Sequence, residues 1–221
     1  MSTRFEKLLA DMAAGIPTGY LAALAEAESS FDPKIVNGKA VGLFQVTPPV
    51  LADYNRLHRT AYQPADLLDP ILNTRIAVEH IHRIIDVYST LPALRPDWAD
   101  RRWVALLTLG WNAGHVGVAR VVREMARAGI SSDRTTVDTV HAAALALQNP
   151  GHLGDAKHVH FAKAITASFF GDRRPRPRGP AAAAASPPAG TSVAFLAPLG
   201  ALAIGSSVLP PERRGKRGRT S

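Results

Sequence analysis

Thr18-Gly19-Tyr20-Leu21-Ala22-Ala23-Leu24-Ala25-Glu26-Ala27-Glu28-Ser29 sets Leu21, Leu24 and Ala25 on one stripe at helical spacing. The next member of that stripe, seven residues after Leu21, is a carboxylic acid, Glu28. Thr18 is placed to cap this helix. Glu26 is rotated roughly 200° from Glu28 at 3.6 residues per turn and reads as a solvated surface acid. An ionisable group on an apolar stripe keeps its proton more readily than one in water, because desolvation disfavours the charged form. The alternative is an ordinary surface glutamate at a helix end.

Helical periodicity continues to about residue 170, and no alternating strand pattern of useful length occurs. A short amphipathic run, Phe5, Leu8, Leu9 and Met12, precedes Gly15 and Pro17. Residues 33–50 read as loop, with a small irregular hairpin around Asn37-Gly38. Asp69-Pro70 is a cap and first-turn proline for a long helix with the stripe Ile71, Thr74, Val78, Ile81, Ile85 and Tyr88. A helix from about Asp97 carries Trp103, Leu106, Leu107, Leu109 and Trp111 and stops near Gly114. Val118, Val121, Val122 and Met125 form the next stripe, ended by Gly129. Residues 135–148 and 155–170 form two more. The fold class is mainly α.

The net charge of +8 is unevenly spread. Residues 172–221 hold nine Lys or Arg against two acids, leaving 17 against 16 in residues 1–171. The globular part is nearly neutral, so no nucleic-acid partner is expected for it. There is no cysteine, which excludes disulfides and thiolate metal sites. Residues 1–171 read as one domain. Residues 172–192, rich in Arg, Pro and Ala, read as a linker, and residues 193–209 as an uncharged segment before a basic tail at 210–221. Seventeen uncharged residues are near the lower limit for crossing a bilayer. With Pro198 and two glycines inside it, the same segment also fits a disordered tail.

Two further motifs supply amides to a site around Glu28. Gly42-Leu43-Phe44-Gln45 lies fourteen residues beyond it, and Gly110-Trp111-Asn112-Ala113-Gly114 lies far downstream. Gln45 and Asn112 can hydrogen-bond sugar hydroxyls and N-acetyl groups, or serve as turn and cap residues. Phe44 and Trp111 can face a sugar ring, or pack in the core. The pairs His80-x-His82 and His158-x-His160 diverge on a helix, so no metal is expected, and no cofactor either.

Glu28-Ser29-x-Phe31-x-Pro33, Gly42-Leu43-Phe44-Gln45-Val46-Thr47-Pro48, Asp69-Pro70-x-x-Asn73 and Trp111-Asn112-Ala113-Gly114 together resemble, in order and spacing, the soluble lytic transglycosylase family. The likeness covers about residues 15–170. It implies an α+β lysozyme-like fold of the goose type. It also implies that Glu28 is the sole catalytic acid and base, with Ser29, Gln45, Phe44, Trp111 and Asn112 positioning it or lining the glycan groove. The family reaction cuts peptidoglycan between N-acetylmuramic acid and N-acetylglucosamine and leaves a 1,6-anhydro sugar. Phe44 and Trp111 stand where the family usually has Met and Tyr, so any family hydrogen bond from the phenol must be absent or come from the indole N–H. Goose-type lysozymes carry extra aspartates where Val36 and Thr47 stand here, which favours the anhydro product; Asp32 and Asp53 are left as unplaced acids. A hydrolase on the same scaffold and a glycan-binding module that does not cut are the alternatives.

The expected partner is the peptidoglycan glycan strand, met by a monomeric catalytic domain, with membrane association through residues 193–209 and the basic tail. The N-terminus shows no secretory signal pattern. With the tail, this suggests a virion-borne enzyme opening the host wall for passage of a phage genome. A conjugation or secretion-system enzyme, or one of the bacterial envelope, is the alternative.

Overall fold

The computed structural model describes residues 3–147 and 150–172. Apart from Asp172, the linker, the uncharged segment and the basic tail lie outside the described residues. Among the described residues no helix is long and apolar enough to cross a membrane.

Eight α-helices dominate the described residues: α1 (Thr3–Met12), α2 (Thr18–Ser29), α3 (Pro48–His58), α4 (Pro70–Ser89), α5 (Arg101–Ala113), α6 (His115–Arg127), α7 (Val137–Leu145) and α8 (Ala156–Phe169). The expected hairpin is present as β1 (Val36–Asn37) paired antiparallel with β2 (Ala40–Val41), turning through Gly38 at φ +60°. The fold is the mainly helical, lysozyme-like one that the resemblance implies.

Pro17 occupies the cap position of α2 and Thr18 is already helical, with no side-chain cap bond. The Pro17 carbonyl accepts from the amides of Tyr20 and Leu21, so the helix starts without help from Thr18. The loop expected to run to residue 50 ends earlier, because Pro48 and Pro49 open α3. A proline pair that resembles a breaker suits a first turn, where its missing N–H has no helical partner to lose. In α4, Asp69 caps as expected by accepting from the Ile71 amide at 2.9 Å. Thr74, Val78, Ile81 and Tyr88 of the expected stripe are buried, Ile71 is half exposed, and the buried face is wider than the stripe because Leu72, Ile76, Ala77 and Ile84 also join the core. Helix α5 begins at Arg101 rather than Asp97, because Asp100 accepts from the Arg102 amide. The stripe of α6 is buried as expected.

Helices α4, α6, α7 and α8 pack around α5, whose residues Trp103 to Gly110 are all buried, while α2 packs on α8 and reaches α5 through the Tyr20 and Thr108 hydroxyls, 3.1 Å apart. Two close approaches hold this arrangement. Gly110 lies where a Cβ would come within 2.2 Å of the Tyr88 hydroxyl, which lets α5 settle on α4. At the far end of α8, Phe169 meets Tyr20 edge-on at 6.0 Å and packs beside Trp98, closing α8 onto α2. Asp172 then pairs with Arg101 at the surface. The last turns of α2 and α5 are thereby brought side by side.

Candidate active site

The last turn of α2 carries Glu28, and the last turn of α5 carries Trp111 and Asn112. The indole Nε1–H of Trp111 donates to Glu28 Oε1 at 2.9 Å. The indole, which stands where the resemblance implies a phenol, thus holds the acid by its N–H. Glu28 is only partly exposed. Burial pushes its carboxyl up from 4.5 to about 7, and the Trp111 hydrogen bond, which favours the ionised form, pulls the other way. Near neutral pH the group can both give and take a proton. Glu26 is exposed, as its rotation around the helix requires.

Ser29 is buried, and its hydroxyl can donate to the Ala25 carbonyl at 3.1 Å and the Leu43 carbonyl at 2.7 Å. The second contact ties the end of α2 to the loop of residues 42–45. Left-handed backbone at Ser30 and Phe31 ends the helix directly after Ser29. Gln45 also has left-handed backbone, at φ +48°, and is buried. Its Nε2 donates to the carbonyls of Gly42 at 2.9 Å and Ile35 at 3.2 Å, so the amide nitrogen holds the loop together. Phe44 is fully buried, so its ring packs in the core rather than offering a face to a sugar.

Asn73, in the Asp-Pro-x-x-Asn motif, fixes the loop from the other side. It is completely buried, accepts from the Phe44 amide at 2.8 Å, and donates to the carbonyls of Val41 at 2.8 Å and Leu67 at 3.0 Å. Gly42 makes room for it. A Cβ there would lie 2.4 Å from Asn73 Nδ2 and 2.3 Å from the Leu67 carbonyl, and its φ of +81° suits glycine.

The Trp111 ring also meets His80 of α4 edge-on, ring centroids 5.5 Å apart, and His80 meets His115 at the start of α6 at 5.4 Å. Burial, helped by the neighbouring His115 and Arg83 charges and opposed by Asp53, lowers His80 to about 4. It is uncharged at neutral pH, so His80 itself puts no positive charge beside Trp111 that would lower the pKa of Glu28. A small recess lined by Tyr54, Glu79, His80 and Arg83 adjoins this wall, and a wider open depression lined by Lys34, Tyr62, Asp66 and Asp69 lies elsewhere on the surface. His80 is visible in the sequence only as half of a pair that suits no metal, and His115, a single histidine on a helix face, carries no pattern.

A family model described as Transglycosylase SLT domain matches residues 9–133, more than half of the chain. The chain belongs to the SLT family. The match takes in Glu28, the loop of residues 42–45, Asn73 and the Trp111-Asn112 turn. Among solved structures, the 70 kDa soluble lytic transglycosylase SLT70 from Escherichia coli is similar at 20% identity and a TM-score of 0.53. The match covers 76% of this chain and 24% of that one. A complex of the 70-kDa soluble lytic transglycosylase with bulgecin A is similar at the same identity and TM-score, over 75% of this chain and 23% of that one. The chain thus spans about a quarter of the length of these structures. Comparison with curated protein sequences found no match.

Replacing Trp111 by Phe removes the indole hydrogen bond that favours the Glu28 carboxylate. Where Glu28 supplies the proton for glycan cleavage, the alkaline limb of the rate profile should move to higher pH, with kcat lowered about tenfold. A pH series of initial rates on purified sacculi reads both effects; a limb unchanged or moved down would refute the role of the indole.

Proposed function

We propose that the chain is a peptidoglycan lytic transglycosylase acting on the bond between N-acetylmuramic acid and N-acetylglucosamine. The observation that carries the reading is Glu28, raised to about 7 by burial and held by the Trp111 indole. A general acid works best when its acidity constant lies near the working pH.

In the first step Glu28 gives its proton to the bridging oxygen as the C1–O bond breaks. The muramyl N-acetyl oxygen supports the electron-poor C1, so no second carboxylate is needed. Glu28, now negative, is stabilised by the Trp111 N–H, since a hydrogen bond to an ionised acceptor is stronger than one to a neutral acceptor. In the second step the carboxylate takes the proton of the muramyl C6 hydroxyl while O6 bonds to C1. Glu28 regains its starting form and no water is consumed.

The acids left unplaced by the sequence favour this route over hydrolysis. Asp32 is exposed and accepts the Lys34 amide at 2.8 Å. Asp53 is paired with Arg83 at 3.1 Å and Arg56 at 3.2 Å. Both carboxylates are thus engaged by groups other than Glu28. Mass analysis of the muropeptides released from sacculi tests the proposal. Anhydro-muramyl products, lighter by one water than their reducing counterparts, are expected; reducing ends alone would show a hydrolase.

A further inference from the structure

We propose that His158, in the first turn of α8, is a positioning residue that sets which end of the Asn112 amide faces the glycan. The proposal rests on the glycan-cleaving reading above and extends it to a residue beyond position 133, where the family match ends.

His158 is buried, at 7% exposure. Its Nδ1 is hydrogen-bonded to Asn112 Oδ1, whereas its Nε2 is buried with no partner among the described residues. Burial holds the imidazole below its ordinary value, helped by Lys157 and His152 and opposed by Asp155, so the ring carries one proton at neutral pH. That proton has two places to sit. On Nε2 it would be a buried N–H without an acceptor, and the bare Nδ1 would face the Oδ1 lone pairs. On Nδ1 it donates to Asn112, and only an acceptor lone pair goes unused, which avoids the penalty of an orphaned donor.

The Nδ1–H tautomer has a consequence for the site. The side-chain amide is planar, so holding Oδ1 on His158 turns the NH2 group to the opposite side. Asn112 is only partly buried and follows Trp111 directly on the last turn of α5. It then offers hydrogen-bond donors, which match the acetamido carbonyl or a hydroxyl oxygen of an N-acetylated sugar. Without His158 the amide could rotate and present its oxygen instead.

The test combines a substrate-free measurement with a coupling cycle in the full-length protein. Nitrogen NMR of the histidine side chains at pH 7, assigned with His158→Asn, should show His158 protonated at Nδ1 and bare at Nε2. His158→Leu should raise KM for purified glycan strands about tenfold with kcat little changed, the cost of one lost hydrogen bond. His158→Asn, whose amide nitrogen falls near the place of Nδ1, should restore most of that loss. In the Asn112→Ala background His158→Leu should cost no more than about twofold. An Nε2–H tautomer, an undiminished loss in the Asn112→Ala background, or no rescue by a folded His158→Asn protein would each overturn the proposal. The tautomer is read without substrate, so a failure of the positioning and a failure of the cleavage reaction remain distinct.

Discussion

Glu28→Gln is expected to leave a folded protein whose glycan cleavage is about 10³-fold slower or worse, the scale of losing a positioned general acid and base. The amide is close in shape to the carboxyl, and its oxygen still accepts the Trp111 N–H, so the loss cannot be assigned to a collapsed site. Turbidity loss of sacculi measures it, and unchanged clearing by a folded variant would remove the enzyme reading and leave a glycan-binding module. The same substitution should stabilise the protein in a defined pH window. A carboxyl raised from 4.5 to about 7 in the folded state ionises more easily when unfolded. The wild-type protein therefore loses stability as pH rises from about 4.5 and reaches a constant penalty above about 7. Glu28→Gln escapes that penalty, on the order of 2 kcal/mol after allowing for partial exposure. Its Tm should exceed that of wild type at pH 8 and match it near pH 4.5. A site that loses its reaction while the fold gains stability is one whose burial of an acid is kept for chemistry.

Asn73→Ala is expected to produce the largest loss of stability, about 3–5 kcal/mol. Its side chain is completely buried and completes three hydrogen bonds, to the Phe44 amide and to the carbonyls of Val41 and Leu67. Truncation leaves those backbone groups unpaired away from water and opens a cavity as well. Asn73→Asp should do no better, because a carboxylate can still accept from Phe44 but repels the two carbonyls. Denaturant unfolding measures the loss. Activity should fall with it even under stabilising conditions, because the loop of residues 42–45 loses its anchor beneath Glu28. A loss under 1 kcal/mol for Asn73→Ala would show that the loop is held by other means.

Much of the site was legible because it depends on local spacing. The seven-residue interval from Leu21 to Glu28 puts the acid on the buried face, Asp69 starts α4 and Gly114 ends α5 where their chemistry predicts. The hidden parts are tertiary. Pro48-Pro49 read as loop because a proline pair looks the same before a helix and inside a turn, and only the residues that follow decide between them. The stripe of α4 is legible at Thr74, Val78, Ile81 and Tyr88, but packing on two sides widens the buried face to Leu72, Ile76 and Ile84 and leaves Ile71 at its exposed start. Phe44 and Trp111 are both aromatic neighbours of an amide residue, yet one is sealed in the core and the other touches the acid. His80, His115 and His158 gain their roles only when α4, α5, α6 and α8 meet.

The most direct measurement is the titration of the Glu28 side-chain carboxyl carbon by NMR in the wild-type protein, with the signal assigned by its absence in Glu28→Gln. A midpoint near 7 is expected, moving upward in Trp111→Phe. A midpoint near the ordinary 4.5, insensitive to residue 111, would mean that Glu28 is ionised at neutral pH and cannot be the acid that starts the reaction.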